Sequence, residues 1–245
     1  MSESTATPVA SGLVTLNGVI RNYRSTRASA SFVFDDSDKS KLGVVAVAAA
    51  TVGLSGQAIS TAASATSLEE DADHVEFELD GQQVKGWLWR SPFKEGDEVR
   101  VAAQWTGQHY EAMGMARPSD RTIALYPHCS RSRRTHIRNA AKWWFLGVTL
   151  WLAVLAGVCL AVLGLTSGLD MIAFGFPYGA PISYAFFGLM TFSLTRKWMP
   201  FARLTEKVGK ALGLPAPENI DLVKTAKAQR RSEDPGEYGT FYFRY

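Results

Sequence analysis

The chain has 245 residues, of which 47% are hydrophobic and 20% charged, so it holds one or two domains of ordinary size and is not disordered throughout. Lys and Arg number 26 against 23 Asp and Glu, a balance too even to mark a nucleic-acid-binding protein. The two cysteines, Cys129 and Cys159, can build neither a disulfide framework nor a four-cysteine zinc site.

Residues 1–11 read as a disordered N-terminus. The opening MSESTATPVASG has no charged region ahead of a short apolar stretch, so no secretory signal is expected and the following domain should stay cytoplasmic. Residues 12–130 read as that domain, and it is β-rich. The runs LVTLNGVI, ASASFVFDD, VEFELDGQQVKGWLWR, DEVRVAAQW, YEAMGMA and RTIALYP are short and separated by Gly, Pro and Asp, as strands are. Val75, Phe77 and Leu79 alternate with Glu76 and Glu78, which buries one face and wets the other. Asp80-Gly81 between two such runs predicts a tight hairpin, because both central turn positions need positive φ. KEGD, residues 94–97, reads as a turn into the next strand. Five or six such strands predict a small antiparallel barrel or sandwich of the OB or SH3-like kind.

One segment inside this domain does not read as β. Between Lys41 and Glu69 lie 27 residues without a charge, rich in Ala, Gly, Ser and Val. Gly53, Ser55 and Gly56 predict a break near its middle, hence a helical hairpin over residues 42–67. Three readings stay open for it: a helical insertion packed on the protein, a third membrane span, or a segment that enters the membrane conditionally or re-entrantly. The charge rule argues against a third span, since one extra crossing would move the following basic cluster outside. Small residues and weak apolarity suit close helix contacts in lipid.

Chemistry-bearing motifs are sparse. GxxxxGKS, GxSxG and HExxH do not occur, which removes the commonest phosphate-binding, hydrolase and zinc-protease signatures. His128 and Cys129 are adjacent, so in a strand they point apart and do not form a nucleophile–base pair. His136 adds no metal set, because two further ligands are lacking nearby. Cys129 reads as a buried or interfacial thiol rather than a reactive one. Glu69, Glu70, Asp71 and Asp73 read as a solvated charge run, and Asp35, Asp36 and Asp38 lack the sixth-position glycine and distal glutamate of a calcium loop. No catalytic residue, cofactor or metal is nominated, and the chain is expected not to be an enzyme.

Residues 131–142 form a basic juxtamembrane segment, and residues 143–195 a transmembrane hairpin. From Trp143 to Thr195 the single charge is Asp170. The first 24 residues of that run, to Thr166, would as a helix exceed a ~30 Å hydrocarbon core. The second run, Met171 to Leu194, carries Pro177 and Pro181, which predict a kink or a late start. The connection SGLD, residues 167–170, holds one acid and no base. Basic residues flank both outer ends, so both termini are expected in the cytoplasm and the protein in a bacterial inner membrane as a multi-pass chain. The residues expected at the membrane interface are Arg131, Arg133, Arg134, Arg138, Lys142, Trp143, Trp144, Arg196, Lys197 and Trp198.

Residues 196–245 read as cytoplasmic amphipathic helices and a tail. Phe201, Leu204, Val208, Ala211 and Leu212 with lysines between them predict an amphipathic helix beside the membrane. A second, charged helix is expected from Glu218 through NIDLVKTAKAQRR, after Pro215 and Pro217. The end, GTFYFRY, alternates enough to add a strand to the barrel or to fray.

The strings YRSTRASASFVFDD, VEFELDGQQVKGWLWRSPFKEGD, ARPSDRTIALYPHCSR and WWF, with the uncharged segment between the first two, resemble a bacterial family described as type VI secretion system effectors. The resemblance covers about residues 12 to 200. It implies a membrane-associated protein made with a contact-dependent secretion apparatus, and it supplies no catalytic residues. The expected function is a non-enzymatic inner-membrane effector acting on membrane integrity, with a membrane-anchored immunity or scaffold protein that binds a cognate partner through its β domain as the alternative. The expected partners are the lipid bilayer and a secretion-system component or cognate immunity or effector protein, without nucleic acid; an oligomer is compatible with the pattern. The fold class expected is an α+β membrane protein: a β-barrel or sandwich with an Ala-rich helical insertion, a two-helix hairpin and a C-terminal helical tail.

Overall fold

The computed structural model describes residues 12–30 and 70–245. The expected insertion at 42–67, the N-terminus 1–11, the acids Asp35, Asp36 and Asp38, and Glu69 lie outside the described residues. The protein is α+β: a closed five-stranded barrel, two long apolar helices, and a C-terminal segment that returns to the barrel's outer face.

β1 (Val14–Ala30) is one 17-residue strand that continues past the first expected run, LVTLNGVI, through RNYRSTR to the start of the second, whose residues 31–36 lie outside the described residues. Its first part pairs with β4 (Glu98–Trp105) and its second with β2 (Glu70–Leu79), and the register shifts between Arg21 and Arg24. The shift is a bulge. Asn22 has φ 54, and the Glu95 carboxylate accepts from the Asn22 and Tyr23 amides at 3.0 and 2.7 Å. A bulge bends a strand and increases its twist, which lets β1 serve two neighbours. β2 and β3 (Gln82–Leu88) form the expected hairpin, with positive φ at both Asp80 and Gly81.

β5 (Tyr110–Arg117) runs antiparallel to β4 and closes the ring by pairing with β3. That closing pair is parallel, so the barrel is not wholly antiparallel. Parity requires this, because a ring with an odd number of strands cannot alternate direction all the way round. Val75, Phe77, Leu79, Val84, Val99, Val101 and Met115 fill the barrel, while Glu76 is half-buried and Glu78 exposed. Of the acids after the charge-free segment, Asp71 is exposed as expected, whereas Asp73 is buried and Glu70 is half-buried. Arg27 pairs with Asp73 at 3.0 Å and with Asp71 at 3.8 Å, and Glu70 lies 2.8 Å from His128.

A second core lies outside the barrel, over β4, β5, β6 (Thr122–Leu125) and β7 (Tyr242–Arg244), where Ala102, Ala116, Ile123 and Leu125 meet Val208, Leu212 and Leu222. α1 (Arg133–Leu163) leads from the barrel, the chain reverses at Gly164 with φ 75, and α2 (Leu165–Ala211) returns to it. The reversal is therefore not at SGLD; those residues belong to α2. Pro177, Pro181 and Pro200 lie inside α2 without ending it. The helices pack antiparallel, with His136 beside Thr195, Trp144 beside Tyr184, and Leu160 beside Gly168.

The stretch expected as an amphipathic helix beside a membrane is the last part of α2, and its apolar stripe is spent on the sheet. Val208 and Leu212 are buried against β5 and β6. The close approach is at Gly114, where an added Cβ would stand 2.6 Å from Leu125 and 2.7 Å from Val208. The second tail helix starts later than expected: a 3-10 turn (Pro217–Asn219) precedes α3 (Leu222–Ala228), which Asp221 caps by accepting from the Lys224 amide at 3.0 Å. β7 adds to β6 outside the closed ring, held by an Arg244–Asp234 ion pair of 2.6 Å.

Gly114→Val should therefore lower stability in detergent by about 2 kcal/mol through overpacking, measured as a fall in Tm. Adding Val208→Ala should recover part of the loss; no recovery would show that the strain lies elsewhere.

Candidate functional site at the barrel–hairpin junction

The most chemically varied surface lies where the helices leave the barrel. A cleft of about 330 Å³ is lined by Trp89, His128, Ser130, Arg131, His136, Trp198, Phe201 and Ala202. The end of β3 delivers Trp89, whose amide donates to the Leu125 carbonyl at 3.0 Å. The chain after β6 delivers His128 in a left-handed backbone conformation, φ 65, a region that histidine enters more readily than most residues. The His128 ring lies 4.9 Å from both the Trp89 and Trp198 rings and 5.5 Å from Phe201. Its Nε2 faces Glu70 across 2.8 Å, off the direction of a well-formed hydrogen bond. Burial lowers the His128 pKa, and the Glu70 carboxylate opposes that shift.

Cys129, next in the chain, is 1% exposed and directs its Sγ at the Phe201 carbonyl, 3.6 Å away. Burial pushes its pKa up to about 12, against a weaker opposing bond from Thr205. A thiol so placed carries almost no thiolate at neutral pH. His128 and His136 line one cleft although the sequence separates them, and Cys129 stays in the core behind them. No group of three His, Cys, Asp or Glu is placed to hold a metal among the described residues.

The ten residues expected at an interface gather at this end of the hairpin, in two groups. Arg131, Arg133 and Arg134 make ion pairs with Asp221, Glu206 and Glu218 at 3.3, 3.8 and 3.8 Å. The Arg131 pair is half-buried and links the start of α1 to the returning chain, whereas Arg133 and Arg134 are exposed and such pairs contribute little. Arg138, Lys142 and Arg196 are exposed, and Lys142 lies 6.0 Å over the Trp143 ring. Trp143 is exposed, whereas Trp144 packs between the helices and donates to the Tyr184 carbonyl at 3.3 Å. Lys197 and Trp198 are half-buried. Residue pattern did not point to Trp89, Phe201 or Glu70 as members of this site. Trp89 and Trp198 are far apart in sequence and each meets the His128 ring, an arrangement that no local periodicity carries.

The helices beyond the junction are long and apolar enough to cross a membrane by length and composition. Their apolar surface is uncovered: the most apolar window is 11% buried in α1 and 0% in α2. Leu150 is 66% exposed, Phe174 84% and Leu189 71%. Comparison with known proteins finds no matching family, no similar curated protein and no similar solved structure.

In a Cys159→Ser background, folded protein in detergent should leave Cys129 unalkylated by iodoacetamide at pH 8, with full reaction only after denaturation. Rapid labelling of the folded protein would contradict the buried thiol.

Proposed function

We propose that the chain is a non-enzymatic protein of a bacterial inner membrane that holds a partner-binding barrel at the cytoplasmic surface. α1 and the apolar part of α2 cross the lipid and return, both termini lie in the cytoplasm, and the Gly164 reversal lies outside. The observation that carries this is the uncovered apolar surface of both helices. Soluble monomers rarely expose contiguous apolar patches beyond a few hundred Å², and Leu150, Phe174 and Leu189 stand open on both helices of the hairpin. The basic and tryptophan residues collect at one end, which the positive-inside rule assigns to the cytoplasm. Arg138, Lys142 and Arg196 then meet anionic headgroups, each contributing about 1 kcal/mol.

The barrel's circuit, β1-β2-β3-β5-β4-β1, is the one OB barrels use. Its open groove of about 590 Å³ includes Glu76, Glu78 and Glu95 with a single arginine, Arg24. Glu76 is paired there with Lys85 at 3.1 Å and Glu95 caps the bulge amides, which leaves a polar face of mixed charge for a protein partner. The partner proposed is a secretion-system component or a cognate effector. The role is then immunity or scaffolding.

Membrane-impermeant maleimide on intact cells tests the topology. With Ser167→Cys the expected result is labelling, while Cys129 stays unlabelled until the cells are permeabilised and the protein denatured. An unreactive position 167 that becomes reactive on permeabilisation would reverse or remove the hairpin.

The position of the charge-free segment's ends favours a second reading. Ala30 and Glu70 are cross-strand partners, and Glu70 lies against His128 beside Trp198. The described residues on either side of that segment, Ala30 and Glu70, thus stand together at the barrel's hairpin end. Two helical crossings need roughly 40 apolar residues, more than the 27 between Lys41 and Glu69. That length supports re-entrant insertion alongside the hairpin, rather than full crossings or a helical insertion packed on the protein, as the mechanism of the effector reading. Expression directed to the periplasm should then depolarise cells, and deletion of 42–67 should abolish the effect. An unchanged membrane potential would overturn the effector reading and leave the anchored module.

A further inference from the structure

A groove of about 430 Å³ opens on the hairpin at its barrel end, along α1 from His136 to Val148 and along α2 from Phe187 to Trp198. No lysine, arginine, aspartate or glutamate among the described residues lines it. Ala140, Trp143 and Gly147 follow one another at steps of three and four residues on α1, and Phe187, Thr191 and Leu194 at steps of four and three on α2. Two such stripes, one from each of two antiparallel helices, make the seam against which a third helix packs. An added Cβ at Gly147 would meet nothing within 4 Å, so another backbone can approach α1 closely there.

The residues that flank the charge-free segment lie beside this groove. Glu70 faces His128 across 2.8 Å, the His128 ring lies 4.9 Å from the Trp198 ring, and Trp198 lines the groove. Ser67 precedes Glu70 by three residues, a reach of at most about 10 Å. Residues 57–67 lie between that short tether and the break expected at Gly53–Gly56. They carry no charge and one large apolar side chain, Ile59. As a helix they would be about 17 Å long, against roughly 18 Å of α1 from His136 to Val148. They would also align Ala58, Ala62 and Ala65 on one stripe. An arm so poor in large apolar groups gains little from lipid and more from close contact with another helix. We infer that residues 57–67, which lie outside the described residues, seat in this groove as a third helix with the alanine stripe toward Gly147. The inference rests on the re-entrant placement given above and deepens it by naming the surface the segment meets. The depth agrees, since an arm of about 17 Å reaches little more than half-way through a hydrocarbon core of ~30 Å and must turn back rather than cross.

The test is disulfide cross-linking in membranes from cells making the full-length protein, in a Cys159→Ser background that leaves only the buried Cys129. Gly147→Cys is combined in turn with Ala58→Cys, Ala62→Cys and Ala65→Cys, and the membranes are oxidised with copper phenanthroline. An intramolecular disulfide is expected with at least one position of the stripe and none with Ser60→Cys, on the opposite side of such a helix. Leu189→Cys, which is exposed and does not line the groove, should give none with any of them. Thr191→Cys probes the groove from its other wall and replaces Gly147→Cys should that variant lose its Tm in detergent. No disulfide with the stripe from either wall, or equal yields from Ser60→Cys and Leu189→Cys, would overturn the seat. A disulfide that joins two copies through Gly147→Cys alone would also overturn it, by assigning the groove to a second copy. If periplasm-directed protein depolarises cells through residues 42–67 but no disulfide forms, the seat fails while the effector reading stands. If the disulfide forms and the membrane potential is unchanged, the seat stands and the effector reading fails.

Discussion

α2 imposes the constraint from which the rest follows. It is a single 47-residue helix, about 70 Å long at 1.5 Å per residue, that serves the apolar hairpin at one end and the outer core of the sheet at the other. A helix satisfies its interior backbone groups within itself, so it can pass from an apolar to an aqueous environment without leaving amides unpaired. Gly114 then sets how closely it approaches the sheet, because Val208 occupies the space a side chain would need. The half-buried ion pair of Arg131 with Asp221 links the start of α1 to the same returning chain. Barrel and hairpin are thereby joined through packed side chains rather than by a linker.

That arrangement divides the basic cluster. Read along the chain, its members look equivalent, a run of cations before an apolar segment. In the fold, Arg131 is half-buried against Asp221, Arg133 and Arg134 pair with Glu206 and Glu218 while exposed, and Arg138 and Lys142 stay exposed at the mouth of the hairpin together with Arg196 of α2. The tryptophans divide in the same way: Trp143 is open, Trp144 lies between the helices, and Trp198 closes the cleft against His128.

Much of the fold was legible because its signals are local. Period-two alternation marked β2, Asp80-Gly81 marked the hairpin, and the charge-free runs marked the two long helices. Features set by distant contacts were not legible. The continuity of β1 through the polar RNYRSTR depends on Glu95, far along the chain, capping the bulge amides. The apolar stripe at Val208 and Leu212 is equally suited to lipid or to a sheet, and only the facing Ala102, Ala116 and Gly114 decide which it meets. The junction cleft was half visible. His128 and His136 stood out as residue types, but Trp89, Phe201 and Glu70 reach them only through barrel closure and the return of α2.

The central claim is that the hairpin lies in lipid and carries the barrel with it. Extraction of membranes from cells making the full-length protein tests it most directly. The account predicts that the protein stays with the membranes through alkaline carbonate washing and leaves them only in detergent. Recovery of the whole chain as a monodisperse species in detergent-free buffer would contradict it.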